Sequence, residues 1–158
     1  MAAGARSAGL LLYRRAQGGT EVLIAHMGGP FWSKKDEGAW SIPKGEYGDD
    51  EDPLAVALRE FEEELGSPPP DGPVIELGEF RQSGGKRVTV FAREGDFDAS
   101  DVRSNLFEME WPPRSGRLGR FPEIDRAEWM PFGPARQKLV KGQVPALDAL
   151  DRRLAEPA

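Results

Sequence analysis

The segment 52–70 carries both the start and the stop signals of one helix, and it constrains the fold more than any other stretch. Asp52 is a residue type that caps helix N-termini, and Pro53 follows at the first helical position, where its missing N–H costs no hydrogen bond. Gly66 suits the left-handed conformation that ends a helix, and the prolines at 68–70 prevent continuation. The sequence therefore predicts a helix from about 53 to 65.

The apolar residues of this helix form one stripe. They recur at i, i+4, i+7 and i+11, and they are Leu54, Leu58, Phe61 and Leu65. This spacing is typical of an amphipathic helix that packs against a core.

Glutamates crowd the second half of the same helix. Glu60, Glu63 and Glu64 share one face, which we expect to lie opposite the apolar stripe. Like charges at this spacing destabilise a helix by about 0.2–0.5 kcal/mol per pair, and the helix dipole disfavours anions near the C-terminus. One interpretation is a plain solvated surface. The other is a divalent cation site, because Mg²⁺ prefers oxygen ligands and its charge removes both costs.

The composition excludes several other kinds of site. The 158 residues include no cysteine and one histidine, His26, which excludes disulfides, thiolate nucleophiles and histidine-pair metal sites. A net charge of −6 argues against electrostatic binding to nucleic acid. Apolar runs are too short for a signal peptide or for a bilayer span, so we expect a cytoplasmic protein that does not interact with membranes.

The remaining elements are predicted from alternation and turn residues. We expect strands at 7–13, 21–26, 74–80, 86–93, 105–111 and 126–132, a loop at 112–125, and one or two helices over about 133–155. Strands on both sides of an inserted helix predict a mixed α/β (α+β) fold. The length predicts a single domain over 1–158.

The sequence around the helix resembles the signature of the Nudix hydrolases. Five residues separate Gly45 from Glu51, and seven more separate Glu51 from the run REFEEELG, which begins at Arg59. Only Ser67 departs, at a position that is usually aliphatic. The preceding GAWSIPKGE is similar to the Trp-x-x-Pro-Lys-Gly segment of many members, and EIDRAEWM with its helical tail is similar to their final strand and helix. The resemblance implies an α/β/α sandwich with a central mixed sheet and a signature box at 45–66.

The resemblance also implies a reaction and a set of site residues. Family members hydrolyse nucleoside-diphosphate-linked substrates at a phosphoanhydride bond with Mg²⁺, for which Mn²⁺ can substitute. By motif match, the metal ligands are Glu60, Glu63, Glu64 and the carbonyl of Gly45, and Glu60 also orients or deprotonates the attacking water. We expect Arg59 to hold one of the glutamates, such as Glu60, by a bidentate contact.

Two further acidic positions have other roles. Glu51 precedes the helix, where capping or an ion pair is favoured over metal ligation. Several family members place a glutamate from the loop before the last strand in the site, and Glu123 fits that placement as a catalytic base. Glu108, Glu110 and Asp125 are the competing candidates, and a solvated loop acid is the alternative.

Candidates for substrate binding carry a positive charge or an aromatic ring, and they are Lys44, Arg81, Lys86, Arg87, Phe31, Trp32 and Trp40. Lys44 beside a glycine suits a phosphate contact. The cations of the hairpin tip suit outer phosphates or form an ordinary solvated turn. The aromatic side chains suit stacking on a base, although Trp40 also fits the core.

The substrate and the assembly stay open at this level. By analogy within the family that the chain resembles, the Trp-Ser-Ile-Pro-Lys-Gly segment implies a nucleoside or dinucleoside polyphosphate over ADP-ribose or a nucleotide sugar. A non-catalytic nucleotide-sensing module of the same fold is the alternative of a different class, but it would be expected to lack acids of the box, and all of them are present. A monomer and a homodimer are both compatible with the sequence.

Overall fold

The computed structural model describes residues 5–156 and contains one mixed sheet. Its strands are β1 (Arg6–Ala16), β2 (Gly19–Met27), β3 (Trp40–Ser41), β4 (Lys44–Glu46), β5 (Val74–Arg81), β6 (Arg87–Glu94) and β9 (Ile124–Pro131). The order is β3-β2-β1-β6-β5, with β4 paired to β1 and β9 to β2. Because β1 runs parallel to β6 and antiparallel to β2, the sheet is mixed, as expected.

The other elements cover or flank this sheet. The helices are α1 (Pro53–Leu65), α2 (Phe132–Lys138) and α3 (Val144–Ala155), and short 3₁₀ turns lie at Ser83–Gly85 and Lys141–Gln143. Strands β7 (Leu106–Glu110) and β8 (Leu118–Pro122) pair with each other as a separate ribbon. Between residues 5 and 156, no helix has the length and apolar content needed to cross a bilayer.

Strand β1 is buried on both faces of the sheet. Leu10 and Leu12 pack with the apolar side chains of α1, whereas Leu11 and Tyr13 pack on the opposite side with residues of α2 and α3. Since successive strand side chains point to opposite faces, one strand contributes to two cores. The α/β/α sandwich is thereby confirmed.

Helix α1 begins and ends where the sequence predicts. The backbone N–H of Ala55 donates to the Asp52 carboxylate at 3.3 Å, and Gly66 adopts the left-handed conformation at φ 87°. Its apolar face lies differently from the expected stripe, because Leu54 and Leu58 are only half-buried. The buried set comprises Val56, Ala57, Phe61, Glu64 and Leu65. The expectation that Glu64 lies opposite the apolar stripe was therefore wrong.

The segment 112–125, which we expected to be a loop, contains a strand. Residues Leu118–Pro122 form β8, which pairs along its whole length with β7. This segment is rich in proline, glycine and arginine, and its Leu118 is 72% exposed. It therefore lacks the apolar–polar alternation from which a strand is predicted.

Candidate active site

Strand β4 and helix α1 meet at Gly45 and Glu60. Gly45 is held on β1 by its pairing with Ala8. The carboxyl group of Glu60 occupies the space where a Cβ atom at position 45 would lie. Only glycine therefore allows the acidic face of α1 to approach the β4 backbone this closely.

We expect Gly45→Ala to lower metal-dependent turnover at least about tenfold, because the added methyl displaces the Glu60 carboxyl group. The fold should persist, since Glu60 is a side chain that can rotate away. Gly48→Ala is the matched control, because a Cβ atom there meets only Glu51 Oε1, at 4.0 Å. Steady-state kinetics and melting temperatures of both variants provide the check, and equal turnover of the two would contradict the prediction.

Glu64 is an acidic side chain in the core. It is 5% exposed, and burial followed by the nearby charge of Glu60 raises its pKa to about 8. The positive charge of Lys44 and its nearby backbone N–H oppose this rise in the pKa. A buried carboxyl group beside other acids is costly to ionise unless a cation joins it.

Arg59 contacts three glutamates at once. Its guanidinium lies 3.4 Å from Glu51 Oε2, 3.8 Å from Glu60 Oε1 and 3.8 Å from Glu63 Oε1. Arg59 therefore contacts three glutamates and does not make the expected bidentate contact with one of them. Glu51 makes the ion pair that was expected of it. Burial and the Glu63 charge still raise the pKa of Glu60, so Arg59 does not neutralise the cluster.

The predicted ligands have oxygen donors that suit a divalent cation, although their side chains do not converge on one position. In residues 5–156 the acidic and histidine side chains form no ready-made set of three that could hold an ion. The donors nevertheless suit Mg²⁺ or Mn²⁺, because they comprise a buried carboxyl group, the Glu60 carboxyl group against the Gly45 backbone, and the half-exposed Glu63.

Glu123 lies at the turn between β8 and β9, facing the acids of α1. Its backbone N–H donates to Asn105 O at 3.0 Å, and its carbonyl accepts from Gly28 N–H at 2.8 Å. Its negative charge contributes to the raised pKa of both Glu60 and Glu64. The structure thus brings Glu123 to the acidic cluster.

The three competing acids are engaged elsewhere. Glu108 pairs with Arg120 at 3.9 Å, and Glu110 accepts the backbone N–H of Arg114 at 2.8 Å. The Asp125 carboxylate lies 2.8 Å from Nδ1 of the buried His26. Glu123 is the one of the four that lines a cavity with the acids of α1.

Asn105 connects the end of α1 to Glu123 through its own peptide groups. Its N–H donates to Glu63 O at 3.1 Å, and its carbonyl accepts from Glu123 N–H. Arg103 N–H donates in the same way to Leu65 O at 3.3 Å. The last carbonyl groups of a helix lack intrahelical partners, so this segment both satisfies them and positions Glu123.

Three adjacent cavities share walls and together form a cleft centred on Lys44. The carboxylate lobe, about 300 Å³, is lined by Lys44, Gly45, Glu46, Glu60, Lys86 and Glu123 with Ala5 and Ser7. The aromatic lobe, about 360 Å³, is lined by Met27, Gly28, Trp32, Ser41, Lys44, Glu64, Phe107, Glu123 and Ile124. The lysine lobe, about 370 Å³, is lined by Met27, Trp32, Ser41, Lys44, Gln82, Ser83, Lys86, Val140, Lys141, Gly142 and Gln143. Each volume falls in the range of small-molecule sites.

The structure brings some of the predicted substrate-binding residues into this cleft and leaves others out. Lys44, Lys86 and Trp32 line it. Trp40 does not, since its side chain is fully buried and its indole N–H donates to Asp36 at 2.9 Å. Arg81 and Arg87 are exposed outside the lining, and Arg87 lies 3.6 Å from Glu79.

The lining residues that sequence reasoning missed include Met27, Gln82, Phe107, Lys141 and Gln143. They come from four separate segments, so no local motif groups them. Met27 reaches the cleft at a register shift between β2 and β9, which a strand pattern does not reveal.

The sequence model of the NUDIX domain matches residues 4–150 of the chain. The chain belongs to the NUDIX family. Membership indicates a hydrolase that acts on phosphoanhydride bonds, and Nudix enzymes generally use a divalent metal ion. No curated protein matches the sequence.

Solved Nudix structures share the fold at low sequence identity. An Ap4A hydrolase of C. elegans in a binary complex has TM-score 0.63 and 19% identity, covering 96% of this chain and 98% of that one. The NUDIX domain of Shewanella oneidensis NrtR complexed with ADP ribose has TM-score 0.66 and 15% identity, covering 98% and 91%. The MutT protein of Methanosarcina mazei Go1 has TM-score 0.62 and 17% identity, covering 98% and 97%.

Proposed function

We propose that the protein, as one Nudix domain over 1–158, is a Mg²⁺-dependent pyrophosphohydrolase of a nucleoside or dinucleoside polyphosphate. The observation that carries this proposal is the convergence of Glu60, Glu64 and Glu123 with Lys44 on one cleft. Carboxyl groups whose pKa is raised by burial and mutual repulsion suit a cation, and a lysine beside them suits the phosphate that the cation would share.

We assign the role of each site residue from its position in the cleft. Glu60, Glu63, Glu64 and the Gly45 carbonyl would hold the ion, which neutralises phosphate oxygens and acidifies water when bound. Lys44 lines all three lobes, so its ammonium group can donate to a phosphate next to the bond that breaks. Water attacks phosphorus, the phosphoanhydride P–O bond breaks, and the proton of the water passes to a carboxylate, for which we favour Glu123 over Glu60.

The aromatic lobe suits the base of the nucleotide. Trp32 and Phe107 line it together with Met27 and Ile124, and Trp32 is braced edge-to-face by Phe31 at 4.9 Å between ring centroids. Aromatic and thioether side chains of this kind bind flat heterocycles through stacking and dispersion.

A substrate panel tests the function directly. The protein is incubated with Mg²⁺ and nucleoside triphosphates, dinucleoside polyphosphates, ADP-ribose or nucleotide sugars, and the products are identified. Turnover of the first two groups is expected to exceed that of the others by at least about tenfold, which corresponds to the loss of one or two good polar contacts. Preference for ADP-ribose or a nucleotide sugar would replace the proposed substrate class, and no turnover of any compound would overturn the enzyme.

Mg²⁺ at millimolar concentration is expected to raise the melting temperature by roughly 5–10 °C, since a ligand at about 100 times its Kd contributes about 2.7 kcal/mol. Glu64→Gln should abolish most of this rise by removing a carboxylate donor. Differential scanning calorimetry with and without the ion provides the measurement. A flat titration of the wild-type protein would contradict the assigned ligands.

A further inference from the structure

The lysine lobe has positive charge that the protein itself does not compensate. Lys44, Lys86 and Lys141 line it, and the part of the chain that the structure describes places no Asp or Glu in its wall. Within residues 5–156 the only lysine in an ion pair is Lys138, which contacts Asp36 outside this lobe. Lys44 and Lys86 also face the acids of the carboxylate lobe, but three lysines around a cavity whose own wall holds no acid, in a protein of net charge −6, indicate an anionic ligand.

Two turns from distant parts of the sequence build this lobe by close contact. A Cβ atom at Gly142 would lie 2.8 Å from both Arg81 O and Gln82 Cα, so only glycine lets the 3₁₀ turn Lys141–Gln143 approach the end of β5. The neighbouring turn is closed by Gln82 N–H, which donates to Lys86 O at 2.8 Å. Lys141 and Lys86 are thereby presented to the same cavity.

A buried glutamine holds this arrangement. Gln143 is fully buried, and its Oε1 accepts the backbone N–H of Ile42 at 2.8 Å. Its Nε2 donates to Ser41 Oγ and to Gln82 Oε1, each at 3.0 Å. The amide oxygen and the NH₂ group of Gln143 are thus both bonded to the wall of the lobe. Because Gln82 accepts through its amide oxygen, the NH₂ group of Gln82 is left to donate into the lobe.

The lysine lobe continues from the carboxylate lobe. Lys86 lines both, and Lys44 lies at their junction. A phosphate chain that reacts beside Glu60 and Glu123 can therefore extend past Lys44 without leaving the cleft. The aromatic lobe adjoins both, since Trp32 lines it together with the lysine lobe and Glu123 lines it together with the carboxylate lobe.

We propose that the lysine lobe binds the terminal phosphate groups of a polyphosphate tail, beyond the bond that is cleaved. Lys141 and Lys86 pair with the phosphate oxygens, and the Gln82 NH₂ group donates to them. This inference rests on the proposed function and narrows it, because the enzyme then prefers substrates with three or more linked phosphates over diphosphates.

Binding of inorganic tripolyphosphate to the metal-free protein tests the lobe without catalysis. In calorimetric titration, Lys141→Ala is expected to weaken binding about tenfold, the usual effect of losing one charge-assisted hydrogen bond. Lys34→Ala is the matched control, because it removes the same charge from an exposed position outside the three lobes. Equal affinities of the Lys141→Ala, Lys34→Ala and wild-type proteins would overturn the proposal.

Kinetics with nucleotides of different length provide the second arm. Lys141→Ala should raise KM about tenfold for a nucleoside triphosphate and less than about twofold for the diphosphate, with kcat unchanged within a similar margin. Equal changes in KM for both nucleotides would overturn the assignment to the terminal phosphate groups. If no nucleotide is hydrolysed while tripolyphosphate binding depends selectively on Lys141, the anion site stands and the proposed function fails.

Discussion

Glu64→Gln is expected to lower metal-dependent turnover by about 10³-fold, because it removes a carboxylate from the predicted metal site and costs about 4 kcal/mol of transition-state stabilisation. Glutamine keeps the size of the side chain, so the fold should be retained. Turnover is measured at saturating Mg²⁺ to separate catalysis from metal affinity. Glu62→Gln, on the exposed part of the same helix, is the control. Activity of Glu64→Gln within a few-fold of wild type would remove Glu64 from the site.

The same substitution is expected to stabilise the metal-free protein. The folded-state pKa of about 8 lies above the ordinary value of 4.5, so the unfolded chain loses this proton first as pH rises. The free energy of unfolding therefore falls between about pH 4.5 and pH 8, by on the order of 3 kcal/mol at pH 7. Glu64→Gln removes that decrease, which denaturant titrations at pH 5 and pH 7.5 in EDTA can measure. Parallel pH dependence in both proteins would contradict the prediction.

Glu123→Gln is expected to lower kcat by about 10²–10⁴-fold, which is the usual contribution of a general base. Metal affinity should change little, because we assign the ligands to α1 and Gly45. The Mg²⁺-dependent shift in melting temperature therefore serves as the second readout and should persist in the variant. Glu108→Gln, which alters an exposed acid paired with Arg120, is the control. A kcat of Glu123→Gln equal to that of this control would transfer the role of base to Glu60.

The elements with strong local signals were predictable from sequence. The cap at Asp52, the proline at the first helical position and the left-handed Gly66 were sufficient to place α1. Strand β8 was not predictable in the same way, because it pairs only with β7 and leaves Leu118 exposed. A strand that contributes little to the core carries little apolar periodicity.

The candidate site was predictable where a motif is contiguous. The acids of the box follow one another on a single helix, whereas the lysine lobe is formed by residues as distant as Ser41 and Gln143. Trp40 lies next to the motif and fits either ligand stacking or the core by sequence, and the structure places it in the core. Contacts between distant segments depend on the packing of the whole sheet, which local patterns do not encode.

The backbone of Asn105 links the end of helix α1 to Glu123. The peptide groups on either side of its Cα atom bond the carboxyl end of α1 and the backbone of Glu123, so one residue spans the gap between them. The backbone of Glu123 and the end of α1 are therefore tied to the same residue by main-chain hydrogen bonds. The distance between the acidic helix and Glu123, the base that we propose, is therefore fixed through backbone groups and does not depend on the side chain at position 105.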